Sequence, residues 1–417
     1  MATTDLTGKL AETARGAPAA AMGKRPTTTW REDLYTMLIA FWPITALCFD
    51  GHNHNTKVGQ ESFFSLAHIF LYAGMSVLAL RVAIIVTRYQ LRAGVNPRQL
   101  IPDLKQIPVG YGVAIIGFCI LGVGGPCDFI WHSVYGFEIG VDAIYSPPHL
   151  MLFFGGLLVS STGLRSMWAK RDIAPTWARF VPVALSAILF LAIIQFTTMY
   201  MSAFMTNLGM TDAFHNDIVK NFHDVTTNQS IGLNQGITGY GDNLWPYAYF
   251  ATGQSIAAMV VTTLELIGTV LLMLRRWRLP FGAVTVIFIG FSLLFNIVTA
   301  YNDFLLIVPL ILAGITIDVL QARLARGPAE RVSLGGIRII GTVGAFVLWL
   351  SYYLVIVARD GIGWTTAVTC GAIAVGTMTG FGVSFLIAPP AYGPRLVEGD
   401  DDTILPEPGT EPAAHPA

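Results

Sequence analysis

Two acid–histidine groups stand out in a chain otherwise poor in charge. Asp128 precedes His132 by four residues, and His149 follows after a Ser-Pro-Pro turn. Upstream, Asp50 precedes His54 by four residues, and His68 follows further on. A four-residue gap puts two side chains on one helical face. Each Asp/His pair can then address one ion, provided that the helix through Pro126 continues for a turn or two. Imidazole with carboxylate suits zinc, copper, iron or manganese. Glu61 stands seven residues before His68, and Asp142 seven before His149. Both are expected to orient the histidines as carboxylate partners, Asp142 by folding back from the preceding loop. Cys48 and Cys127 adjoin the two aspartates and read as small buried helix residues.

The groups align as a repeat. "DGHNHNTKVGQESFFSLAHIFLYAG" runs from Asp50 to Gly74, and "DFIWHSVYGFEIGVDAIYSPPHLMLFFGG" from Asp128 to Gly156. Both carry Asp-x3-His, a glycine after it, an acid seven before the last histidine, and a glycine six after it. Ser146 reads as an N-cap and Pro147 as the first helical residue, which puts His149 in a helix's first turn.

The elements that position these residues are membrane helices. The chain has 417 residues, 53% hydrophobic and 12% charged, against roughly 25% charged in soluble domains. Apolar runs of about 20 residues recur, the length that crosses a bilayer. The expected fold is all-α: a polytopic bundle of about ten transmembrane helices, the first four forming two repeated hairpins. The runs fall near 34–50, 62–87, 107–127, 146–168, 178–204, 246–274, 280–300, 303–322, 336–358 and 364–388. Arginines and lysines gather on one side, including Arg31, Arg88, Arg165, Arg179, Arg275, Arg323 and Arg338; the opposite loops hold Lys57, Lys220 and Arg359. That bias predicts a multi-pass protein of the cell membrane with both termini cytoplasmic. Seven of the eight histidines then fall at outward-facing loops or the adjacent turns.

Residues 1–29 lack the apolar core of a signal peptide, and residues 391–417 are acidic and Pro-rich; both read as disordered cytoplasmic tails flanking a transmembrane domain over 30–390. A net charge of −1 gives no reason to expect nucleic acid; the partner is the lipid bilayer. Four cysteines without a CxxC pair give no disulfide framework.

A long outward loop near 205–245 carries His215 and His223 and reads as a lid or a third ligand group. Glu265, inside a span, is a candidate proton carrier. Asp318, near a cytoplasmic end, reads as a snorkelling group or a partner of Arg323. No Walker loop, nucleophile elbow or HExxH occurs.

The segment "DFIWH…SPPH" resembles the copper-site segment in the C-type subunit of membrane-bound copper monooxygenases, the particulate methane and ammonia monooxygenase group. Asp128, Trp131, His132, Pro147 and His149 match its Asp-x3-His, its preceding Trp, its Pro-containing turn and its second His; Asp142 matches an acidic position. Asp50, His54 and His68 resemble a neighbouring site. The likeness covers about residues 45–156. It implies copper (with zinc or iron as other occupants of such donors), an oxidoreductase acting on a small apolar substrate, and partner subunits or a homo-oligomer. Read from residues alone, the groups equally fit an ion or metal transporter with an outward-facing His/Asp site and Glu265 as proton coupler. A haem protein with His68 and His149 as axial ligands is a third reading.

Overall fold

The computed structural model describes residues 25–56, 63–96, 102–136, 141–170, 172, 174–205, 245–325, 327 and 330–390. It is all-helical over these residues: α1 (Trp30–Thr56), α2 (Leu66–Arg92), α3 (Tyr111–Tyr135), α4 (Asp142–Tyr145), α5 (Pro147–Ser160), α6 (Thr162–Trp168), α7 (Trp177–Thr197), α8 (Trp245–Arg276), α9 (Ala283–Val298), α10 (Ile307–Leu324), α11 (Leu334–Asp360) and α12 (Thr366–Ile387). Nine stretches among the described residues are long and apolar enough to span a bilayer, and α9 is a shorter apolar helix in the place of the tenth. The chain is a polytopic membrane helical bundle.

Helix α7 is the hub. Its apolar window is 72% buried, against 28% for α3 and for α12, so α3 and α12 face outward while α7 is enclosed. It packs on α1, α5 and α9 through Phe180, Leu189 and Leu191. The expected hairpins form: α1 lies on α2 and α3 on α5, while α2 and α3 make little contact. Close approach in the second hairpin depends on glycine, since a Cβ at Gly155 would stand 2.9 Å from the carbonyl oxygen of Gly117.

Basic residues gather at one end, where α1, α7 and α11 begin and α2, α8 and α10 end. Asp33 forms a buried latch there. It accepts from Thr28 Oγ1 (2.6 Å), Tyr111 Oη (3.0 Å), Ser166 Oγ and Lys170 Nζ (2.8 Å each), fastening α1 to α3, α6 and the turn after α6. Asp318 departs from expectation. Its partners are the Val284 and Thr285 amides (3.2 and 3.0 Å) and Thr285 Oγ1 (2.7 Å), so it satisfies orphan N–H groups at the start of α9, rather than pairing with Arg323.

Candidate metal centre

The two acid–histidine groups lie at the opposite end of the bundle, where α1 and α3 finish and α2 and α5 begin. Helix α3 continues through Pro126 to Tyr135, which carries Asp128 and His132 onto one face. Helix α1 likewise runs to Thr56 and carries Asp50 and His54. His68 is the third residue of α2 and His149 the third of α5, each following a serine N-cap. Two triads of one design result: an Asp and a His from an outgoing helix, and a His from the first turn of the returning one. In each, one ligand atom per residue lies within 4.8 Å of the others.

Distances repeat as well. Asp50 Oδ2 stands 3.5 Å from His54 Nε2 and 3.2 Å from His68 Nε2. Asp128 Oδ1 stands 3.4 Å from His132 Nε2 and 3.1 Å from His149 Nε2. Asp128 is fully buried, and His68, His132 and His149 are nearly so. The second triad also fixes its tautomers. His149 Nδ1 meets the Ala143 carbonyl at 2.5 Å, and His132 Nδ1 meets the Gly136 carbonyl at 3.1 Å. A carbonyl only accepts, so both Nδ1 atoms carry protons and, in the neutral rings, both Nε2 lone pairs face Asp128. Among the described residues, the carboxylate Oδ1 faces these two imidazole nitrogens and accepts no other hydrogen bond. Lone pairs converging on a carboxylate repel one another unless a cation stands among them. Imidazoles held by backbone carbonyls at their outer nitrogen are the usual support of a metal-ligating histidine.

Asp142 does not take the orienting role. It is exposed at the first position of α4, and its main-chain carbonyl accepts from Ser146 N at 3.0 Å. The one-turn helix instead presents the next residue's carbonyl, Ala143, to His149. In the first triad, His68 Nδ1 is buried without a hydrogen-bond partner among the described residues. Glu61, expected to support it, lies outside those residues, as do His215 and His223. Glu265 accepts from Gln195 Nε2 and from Thr198 Oγ1 (2.9 Å) at the end of α7; it is absent from the triads and from the cavity that joins them. Neither Cys48 nor Cys127 belongs to a triad.

One residue joins the triads. Tyr72 of α2 donates its hydroxyl to Asp128 Oδ2 on α3 at 3.2 Å, while its ring stacks on His68 with centroids 6.1 Å apart. A Cβ at Gly125 would stand 3.2 Å from the Tyr72 ring, so glycine there lets the tyrosine lie across α3. Its signal was its place four residues after His68, on the same helical face. Phe63 fills the remaining space, stacked on His68 at 5.4 Å and 6.4 Å from His132.

Asp50, His54, His68, Asp128 and His149 open together onto one cavity of about 580 Å³, whose deeper walls are apolar: Leu71, Met75, Phe118, Leu121, Phe153 and Phe196. No family model matches the chain, and neither curated proteins nor solved structures give a match.

Proposed function

We propose that this membrane protein is a metalloprotein with two transition-metal sites, and that it is an oxidoreductase acting on an apolar substrate. The observation that carries the reading is the convergence of two imidazole lone pairs and a carboxylate oxygen at 3.1 and 3.4 Å inside the second triad, with both outer ring nitrogens already anchored. Asp128, His132 and His149 hold one ion; Asp50, His54 and His68 hold the other. Two imidazoles and a carboxylate suit copper, iron and zinc; copper rests on the resemblance of the Asp128–His149 segment to the copper monooxygenase subunit. Three protein ligands leave a position free for a further ligand, and a redox metal there supplies oxygen chemistry.

The residues themselves do the rest. Tyr72 restrains Asp128 so that Oδ1 meets the imidazoles. The Ala143 and Gly136 carbonyls keep each ring turned so that its Nε2 faces Asp128. The aromatic and aliphatic walls exclude water and present an apolar molecule to the triads. The basic charge bias places the opposite end of the bundle in the cytoplasm, so the triads lie near the outer face of the cell membrane.

A transporter needs a polar route onward from its site. Glu265 with Gln195 and Thr198 is a buried polar group outside the cavity lining, and α7 turns Ile193 and Phe196 into the cavity wall. That favours a site where chemistry is done over one through which ions pass.

The test is metal analysis of detergent-purified protein. Wild type is expected to retain up to two ions per chain, and an Asp128→Ala, His132→Ala variant to retain half of that. Equal, negligible metal in both would overturn the reading.

A further inference from the structure

The shared cavity has a side door. Ser76 on α2, and Gly122, Pro126 and Phe129 on α3, line it and are also exposed on the outer surface of the bundle. They frame the gap where α2 and α3 make little contact. Ser76 and Gly122 lie well inside apolar membrane-spanning helices, so the gap faces hydrocarbon and not water. Three of these four residues are small or kinking: a Cβ at Gly122 would meet nothing within 4 Å, and Pro126 has no N–H for the Gly122 carbonyl one turn before it.

The cavity's size and polarity select what passes. At about 30 Å³ per non-hydrogen group, 580 Å³ has room for about 19 such groups, so a one-carbon molecule would leave it mostly empty. Ligand pockets of roughly 300–1,000 Å³ suit drug-sized molecules. The walls are hydrocarbon, and the head end carries the polar triads. A two-chain phospholipid is too bulky to enter such a space whole.

We infer that the gap between α2 and α3 is a lateral portal through which a single-chain, largely apolar molecule of about a dozen or more carbons passes from the bilayer into the cavity, its head toward the triads. This deepens the oxidoreductase reading by naming a substrate class, and its test is independent of turnover.

The full chain in phosphatidylcholine nanodiscs is irradiated with a diazirine-bearing hexadecanol, and adducts are mapped by mass spectrometry. Wild type should be labelled on inward-facing Met75, Phe118 and Phe153. Gly122→Leu, which has room for its side chain but narrows the portal, should lower that labelling at least about five-fold, and Ser76→Leu does the same from the facing helix. Gly371→Leu, at another open glycine on α12, should leave it unchanged. Equal interior labelling in wild type and both portal variants overturns the proposal. So does interior labelling by a phosphatidylcholine carrying the diazirine on its acyl chain, which would mark an ordinary lipid site. Metal content of the same samples separates the two readings. Interior labelling without metal sinks the metal centre and supports the portal; metal without interior labelling sinks the portal and spares the metal centre.

Discussion

Asp33 and Asp128 are both buried carboxylates in membrane helices, 2% and 0% exposed, yet they sit in opposite kinds of surroundings. Asp33 receives four donors, two on each oxygen, one of them the Lys170 ammonium. Both oxygens meet protons, and Asp33 is not in the lining of the cavity that joins the triads. Asp128 accepts from Tyr72 on Oδ2; its Oδ1 faces the Nε2 atoms of His132 and His149, whose Nδ1 protons point to backbone carbonyls. The first cluster is complete as it stands; the second is completed by a metal ion or by a proton on an imidazole Nε2. Buried polar groups unsatisfied by their neighbours are costly, and the same acid–histidine geometry built twice supports the reading of a ligand site. Asp318, with three donors from the start of α9, belongs with Asp33.

One substitution, made at both positions, breaks or sharpens this contrast. Asp33→Asn places an amide NH2 against protons already there, those of Ser166 and Lys170 or those of Thr28 and Tyr111. It also leaves the Lys170 charge without its counter-ion. The expected cost is about 3 kcal/mol of stability, since losing one partner of a buried ion pair costs about 3–5 kcal/mol. Thermal unfolding in detergent reads it, and metal stoichiometry per folded chain should not change. A loss of metal with stability intact would remove the distinction between the two ends.

Asp128→Asn has the opposite sign for the metal-free protein. The new NH2 can donate to the Nε2 lone pair of His149, so the stripped protein should unfold at the same temperature as wild type or slightly higher. Metal binding at the second triad should weaken at least about 100-fold, or about 2.7 kcal/mol, because a charged ligand has become neutral. Metal at 100 times its dissociation constant stabilises a folded state by about 2.7 kcal/mol. Wild type should therefore show an upward thermal shift on adding metal, and Asp128→Asn should lose the share due to the second triad. An equal shift in both proteins would mean that Asp128 is no ligand.

How far this contrast could be read from sequence depends on the distance between partners. The spans were legible because apolar runs of bilayer length need no tertiary information. Their ends were not: α1 and α3 continue past their apolar runs, which stop near 50 and 127, because Asp50, His54, Asp128 and His132 ride on further helical turns that hydropathy scores as loop. The triads were legible because their members sit four residues apart or open the next helix. Asp33 was not, since its anchor Lys170 lies 137 residues away and an acid in a helix's first turn is ordinary. Asp142 misled for the same local reason: carboxylates are counted by residue type, whereas the carbonyl that holds His149 belongs to Ala143, whose side chain gives no sign of it. Tyr72 was hidden because its hydroxyl crosses between hairpins that sequence treats as separate units.

Tyr72 also sets the smallest of these effects and the most discriminating. Tyr72→Phe keeps the ring that stacks on His68 and removes only the proton on Asp128 Oδ2. If the hydroxyl merely fills space, neither site changes. If it aims Oδ1 at the imidazoles, the second triad should lose about ten-fold in metal affinity, the low end of the roughly 10–100-fold that outer partners of metal ligands contribute, while the first triad keeps its own. Competitive metal titration of wild type, Tyr72→Phe and Asp128→Asn resolves the two sites. A loss confined to the first triad would mean that the hydroxyl does not aim Asp128, and the asymmetry between a supported second triad and a less anchored first one would have to be reversed.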